Sequence, residues 1–335
     1  MSICWNVEQI MKIAKGYQSA CVLAAAAELD IFHILHAGER TAAEIAEEMA
    51  TDIRATKTLL DSLAAIDLLI KRDDKFSLAD GVADVLTAKG SRCMLDMVRH
   101  QANCLRRWSQ LAATVKTGRP AEYMPSIRGP EQDQTAFIIA MDNLARETAP
   151  LLVSEFGAQQ VKHLLDIGGA SGSYTIALLK AAPAARATLF DLPEVIPLAR
   201  QRIVEAGLSD RVRLVEGDFY RDELPAGADL ALLSAIVHQN SRVQNRELFI
   251  KINEALADCG QLIIRDVIMD ESRIRPPAGA LFAINMLVAT EGGGTYTFGE
   301  LKEDLSTAGY TDVQLIRQDD WMNSLIRAVK KDSKA

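Results

Sequence analysis

Disulfide and metal signatures are missing from this chain. Its five cysteines (Cys4, Cys21, Cys93, Cys104 and Cys259) are scattered, odd in number and nowhere spaced Cys-x-x-Cys. Neither a disulfide framework nor a structural metal site is expected, and the thiols are expected to be reduced and mostly buried. A basic excess is missing too: 37 Lys and Arg stand against 45 Asp and Glu, a net charge of -8, which speaks against a nucleic-acid partner. No apolar run reaches the length of a membrane span and no charged-apolar-small leader opens the chain, so a cytoplasmic protein without membrane contact is expected. What is present is ample: 335 residues, 49% hydrophobic and 24% charged, enough for two domains with real cores.

The first hundred residues differ from the rest. Ala20 to Ile34 reads as one alanine-rich apolar helix. Thr41 is placed to cap the next helix, and Glu44 three residues later completes a capping box. A second helix over Arg54 to Ile66 turns Leu59, Leu60, Leu63 and Ile66 inward, and Leu68 to Leu78 forms two short strands about a charged turn. Helices followed by a hairpin make a winged helix. A DNA-binding regulator would carry a basic recognition helix, but Glu39 to Lys75 holds nine acidic and six basic residues. The module reads instead as a packing or dimerisation domain. Its long helices, including Met94 to Thr117 with Trp108 and Leu111, could bury an apolar face against a second subunit or within the core. Glu131 to Phe156 reads as a connecting helix, with Phe137, Met141 and Leu144 at helical spacing and Leu151 and Leu152 after Pro150.

From Val161 onward strands and helices alternate: Leu164–Ile167, Ala187–Phe190, Arg211–Glu216, Ala228–Leu233 and Gln261–Val267. That pattern predicts a doubly wound, mainly parallel α/β sheet whose ligands bind beyond the carboxyl ends of the strands. The first strand ends in Asp166-Ile-Gly168-Gly-Ala-Ser-Gly172. A dinucleotide fingerprint would supply a further glycine so that pyrophosphate can sit on the helix N-terminus. Here Ala170 and Ser173 stand at the second and third positions, and the match to a phosphate cradle is poor. The turn alone leaves three readings open: a phosphate-free adenosine cofactor, a dinucleotide, or an ordinary strand-turn-helix.

The other strand ends narrow the choice. Asp191, closing the second strand, is placed to accept from both ribose hydroxyls, so Asp166 and Asp191 would bracket an adenosine. Leu192 and, at the end of the fourth strand, Ser234 join the candidate cofactor contacts. Asp218 can accept from an adenine amino group while Phe219 packs on its ring. His238 lies just past the fourth strand and Asp266 at the end of the fifth.

Over nearly its whole length the chain resembles the plant-type, or caffeate and acetylserotonin type, S-adenosylmethionine-dependent O-methyltransferase family and its bacterial small-molecule relatives. The resemblance rests on the winged-helix domain, Leu165-Asp-Ile-Gly-Gly-Ala-Ser-Gly172, Phe190-Asp-Leu-Pro-Glu-Val195, Gly217-Asp-Phe219, the His238 block, Gly260-Gln-Leu-Ile-Ile264 and Asn285-Met-Leu-Val-Ala-Thr-Glu-Gly-Gly293. It implies S-adenosylmethionine as cofactor, held by Gly168, Asp191, Asp218 and Phe219, with His238 as general base and Asp266 as its orienting acid. It also implies an acceptor pocket at Phe137, Met141, Asn285 and Met286, a small, flat aromatic acceptor, and a homodimer. The expected domains are residues 1–100 for dimerisation, 101–155 as a helical connector contributing to the acceptor pocket, and 156–335 for cofactor binding and catalysis.

Three positions depart from the family pattern. Gln239-Asn240 replaces the usual Asp-Trp after the histidine, Thr295 stands where a second orienting Glu is expected, and Tyr296-Thr-Phe298 is similar to divergent bacterial members, including a C-methyltransferase that lacks the histidine. With His238 present, a hydroxyl acceptor is favoured. The alternatives are carbon or nitrogen methylation, a non-methylating relative that keeps the cofactor pocket, and, further off, an NAD-dependent oxidoreductase or a regulator.

Overall fold

The computed structural model describes residues 4–88, 90, 93–120 and 131–332. The chain divides into two compact units, one holding the residues up to Arg106 and the segment ending at Asn143, the other Arg107 onward and Leu144 to the C-terminus.

The N-terminal unit begins with α1 (Val7–Ala14), α2 (Tyr17–Glu28) and α3 (Ile31–His36). The single helix expected over Ala20–Ile34 is broken: Asp30 takes a left-handed conformation, φ 56°, and starts a new helix. Strand β1 (Arg40–Thr41), helices α4 (Ala42–Glu48) and α5 (Ile53–Ala65), and the β2–β3 hairpin (Leu69–Arg72, Lys75–Leu78) follow, with the strands ordered β1-β3-β2. The predicted capping box forms, since Thr41 Oγ1 accepts from the Glu44 amide and the Glu44 carboxylate accepts from the Thr41 amide. Phe32, Ile45, Leu60, Leu63 and Phe76 fill this unit's core. By contrast α1 buries none of its residues; Trp5, Val7, Ile10, Ile13 and Tyr17 are all more than half exposed. Helix α6 (Val82–Leu86) comes next, and the expected Met94–Thr117 helix is two: α7 (Leu95–Trp108) and α8 (Leu111–Thr117). Helix α9 (Glu131–Glu155) keeps Pro150 inside it.

Besides α8 and the part of α9 from Leu144, the second unit carries β4 (His163–Ile167), α10 (Ser173–Ala181), β5 (Arg186–Asp191), α11 (Ile196–Glu205), β6 (Val212–Glu216), β7 (Ala228–Ser234), α12 (Arg242–Ala255) and β8 (Leu256–Asp266). It continues with β9 (Ile268–Met269), α13 (Pro277–Ala289), β10 (Tyr296–Thr297), α14 (Phe298–Thr307), β11 (Tyr310–Arg317) and β12 (Ser324–Lys330). The main sheet has seven strands in the order β11-β12-β8-β7-β4-β5-β6. It is mixed: β4 to β8 run parallel, while β12 is antiparallel to both neighbours. The side-chain period of two sends Leu165, Ile167, Leu233 and Ile264 to a core under α12 and α14. Their neighbours Leu164, Leu230, Leu232 and Ile263 go to the opposite face, under α10 and the C-terminal half of α9. Burial on both faces explains why these strands read as near-continuous apolar runs.

One composition-based expectation fails. All five cysteines are free, but Cys4, Cys21 and Cys259 are exposed, Cys93 is half-buried, and only Cys104 is buried. The three exposed ones lie in α2, at the chain's beginning and at a left-handed residue of β8, φ 59°, where the small thiol fills no core.

Candidate active site at the C-terminal edge of the sheet

The β4–α10 turn ends where β5 begins to matter. Gly168 (φ 66°) and Gly172 (φ 81°) occupy the left-handed region that favours glycine, and Ala170 joins them at φ 49°. Three of the turn's amides are committed inside the protein: Gly168 N donates to Phe190 O, Gly172 N to Gly169 O, and Ala170 N to Asp191 Oδ2, each within 2.8 Å. Asp191 Oδ1 accepts from the Leu192 amide at 2.7 Å. A carboxylate with both oxygens anchored therefore stands at the mouth of the turn. Pyrophosphate would meet the like charge of Asp191 here, whereas ribose hydroxyls would meet acceptors. The donor set fits an adenosine cofactor without phosphate. A Cβ at Gly168 would come within 2.8 Å of Ile236 and 3.9 Å of Phe219, so the slot above this turn is narrow and apolar-walled.

Asp166 is placed differently from Asp191. It is buried beneath the turn, 2% exposed, and accepts from Thr175 Oγ1 at 2.6 Å. Burial, with the charge of Asp191 added, pushes its carboxyl up to about 6. The two carboxylates lie under and beside the turn, not astride it. After β6, Asp218 Oδ1 accepts from the Tyr220 amide at 3.0 Å, and the Phe219 ring packs against Tyr220 with centroids 4.5 Å apart. Ser234 Oγ accepts from Arg265 at 3.3 Å.

His238 lies on a short 3-10 turn, Val237–Gln239, directly after β7. Its Nδ1 is 2.9 and 3.1 Å from the two oxygens of Asp266, and its own amide donates to Asp266 Oδ2 at 3.2 Å. Asp266, 1% exposed, also accepts from the Val267 amide at 2.7 Å. A carboxylate only accepts, so Nδ1 carries the proton of that bond, and in the neutral imidazole the lone pair falls to Nε2. The imidazole edge meets the Phe282 ring at 4.9 Å, and Phe282 meets Trp321 at 5.2 Å. Asn285, one turn along α13 from Phe282, accepts from Trp108 Nε1 at 2.9 Å, and Met286 is buried. Periodicity did not single out Phe282 or Trp321; their signal was an aromatic beside the Asn285 motif and one before the last strand. Met141 is half-buried in the part of α9 that belongs to the N-terminal unit. The side chain of Phe137 lies outside the described residues.

The departures from the family pattern have a structural account. Asn240 is fully buried; its Oδ1 accepts from the Tyr220 hydroxyl, its carbonyl accepts from the Tyr296 hydroxyl, and its amide donates to Asn245 at 3.0 Å. Burial raises the Tyr296 hydroxyl to about 12, so it remains a donor. Thr295 is buried, and its carbonyl accepts from Arg273 at 3.1 Å. Position 240 thus holds the loop by neutral hydrogen bonds, and Asp266 alone supplies charge beside His238 among the described residues.

A doubly wound sheet with this edge is that of a class I methyltransferase. Residues 108–311 match the O-methyltransferase domain and residues 11–95 the O-methyltransferase dimerisation domain, and the chain belongs to that O-methyltransferase family. It is similar to the 3-hydroxy-5-methyl-1-naphthoate 3-O-methyltransferase of Streptomyces sahachiroi, 29% identical over 313 residues that cover 91% of this chain and 90% of the relative. The N,N-dimethyltransferase OxyT of Streptomyces rimosus is 27% identical over 336 residues, 97% of each chain. The structure of human N-acetylserotonin methyltransferase in complex with SAM superposes with a TM-score of 0.84 at 25% identity, covering 99% of this chain and 100% of that one. The protein is an S-adenosylmethionine-dependent O-methyltransferase of small molecules, and the oxidoreductase and regulator readings fall. Among the described residues no helix is long and apolar enough to cross a membrane.

Proposed function

We infer that this enzyme methylates a hydroxyl group on a flat aromatic small molecule, with His238 as general base. The observation that carries the reading is the His238–Asp266 pair at 2.9 Å. S-adenosylmethionine supplies an electrophilic methyl group. A hydroxyl becomes a competent nucleophile as its proton leaves, and the Nε2 lone pair of His238 is free to take that proton while Asp266 holds the tautomer and steadies the imidazolium. Asp191 and Leu192 hold the ribose side, Asp218 and Phe219 the adenine side, and the Gly168–Gly172 turn lets the cofactor approach the backbone. Phe282, Asn285 and Met286 on α13 shape the acceptor side; an apolar wall with few polar groups suits a planar ring. The naphthoate relative, by its name, acts on such a ring. Much of the remaining rate would come from holding carbon and oxygen in near-attack geometry, worth up to about 7–11 kcal/mol.

The N-terminal unit serves as the dimerisation module of a homodimer. Its match to the family's dimerisation domain and the unburied apolar residues of α1 support this. Residues 1–100, 101–155 and 156–335 act as dimerisation, connecting and catalytic segments.

The test is His238→Ala with a labelled cofactor and a panel of phenols, naphthols and arylamines. Turnover of the hydroxyl acceptors should fall about 100-fold or more, while calorimetry should find S-adenosylhomocysteine bound within a few-fold of wild type. Unchanged turnover would remove His238 from the chemistry, and methylation of arylamines alone would move the acceptor from oxygen to nitrogen.

A further inference from the structure

The cofactor's adenosine side is provided for by Asp191 and Asp218, but its methionyl tail carries an α-carboxylate for which the residues assigned to the cofactor so far offer no cation. On the sheet face covered by α10, side-chain alternation carries Ser234 on β7 and Arg265 on β8 to the same side as the buried Leu232 and Ile263. These two residues are register partners at the C-terminal edge. The Arg265 guanidinium donates to Ser234 Oγ at 3.3 Å and, through Nε and Nη2, to Asn323 Oδ1 at 3.0 and 2.7 Å. Both partners are neutral oxygens. No carboxylate lies within 4.0 Å of this arginine among the described residues.

The guanidinium sits 5.4 Å from the ring centroid of Tyr174, the second residue of α10. Tyr174 is 8% exposed, and its hydroxyl is buried without a hydrogen-bond partner. A half-buried cation facing only neutral acceptors and a buried hydroxyl without a partner are each costly unless a ligand completes them. Both stand at the start of the helix that follows the glycine turn.

We propose that Arg265, steadied by Ser234 and Asn323 and assisted by the Tyr174 hydroxyl, binds the α-carboxylate of the cofactor's methionyl tail. This rests on the cofactor site proposed above. A guanidinium presents paired donors to a carboxylate, and two of its nitrogens retain hydrogens beyond those already used. The assignment also accounts for an arginine directly after the apolar run Leu262-Ile-Ile264 and next to Asp266. Its neighbour in sequence turns to the opposite face and holds His238, so adjacent residues of one strand would serve the cofactor tail and the base.

Calorimetry with two ligands tests it: S-adenosylhomocysteine, which has the carboxylate, and 5′-methylthioadenosine, which lacks the amino-acid tail. Arg265→Met should weaken S-adenosylhomocysteine about 10- to 100-fold and leave 5′-methylthioadenosine within twofold. Arg265→Lys should recover part of the loss, and Tyr174→Phe should weaken only the first ligand, by a few-fold. Equal losses for both ligands, or none for either, would overturn the assignment. If Arg265→Met does not fold, the Lys and Phe variants carry the same comparison. Asp191→Asn, which should weaken both ligands together, separates the two levels: no loss there would sink the adenosine site itself, whatever Arg265 does.

Discussion

The two units advertise themselves in opposite ways. In the N-terminal unit the telling residues are apolar and exposed, with Val7 and Ile13 on an α1 that buries nothing. In the C-terminal unit they are polar and buried, with Asp166, Asp191, Asn240 and Asp266 all under 7% exposed. An apolar side chain left in water and a charge taken out of it are both unfavourable in isolation, so each signals a missing or present partner. For the first the partner is a surface; for the second it is the chemistry of one sheet edge.

The contrast can be broken at its strongest point first. Asp266→Asn should leave His238 facing an amide that can stabilise the wrong tautomer, and kcat should drop about 10³-fold; steady-state kinetics would read it, and a loss below tenfold would mean that the carboxylate does not orient the base. Next, Ile10→Asp combined with Ile13→Asp should raise the dimer dissociation constant about 100-fold or more, since each apolar side chain buried at an interface contributes roughly 1.5–3 kcal/mol. Sedimentation would detect this, and an unchanged mass would locate the interface elsewhere. The third effect concerns pH. The Asp166 carboxyl is raised in the folded protein from 3.8 to about 6, so its charged form opposes folding above pH 6. That cost is relieved as pH falls from about 6 towards 4, because the folded state takes up the proton first. The relief amounts to at most about 3 kcal/mol. Denaturant titrations should show Asp166→Asn losing this acid-side gain relative to wild type; parallel pH profiles would refute the burial argument. Smallest is Thr41→Ala, which removes the capping box of α4 and should cost about 1 kcal/mol in thermal unfolding.

Much of the C-terminal unit was legible because strands buried on both faces write continuous apolar runs that stop at the functional edge. Asp191, Asp218, His238 and Asp266 all fall at strand ends, and reading the ends together brought them to one edge. The antiparallel β12 was not legible, since a strand's direction leaves no mark in its own residues. Nor was the break at Asp30, where a non-glycine residue takes a left-handed turn that tertiary packing of Ile31 and Phe32 enforces. Arg265 carried a signal that period-two reading could have caught, a lone cation in an apolar strand. Asn240 carried none, because its role is fixed by two tyrosine hydroxyls remote in sequence, Tyr220 and Tyr296.

That asparagine has a mechanical consequence. Through it the segment after β6, which holds Asp218 and Phe219, is fastened to the turn bearing His238 and to β10. Three loops that would otherwise fluctuate separately share one pin, so stiffening any of them stiffens the rest. Order imposed at the adenine end would reach the imidazole by way of a single buried amide.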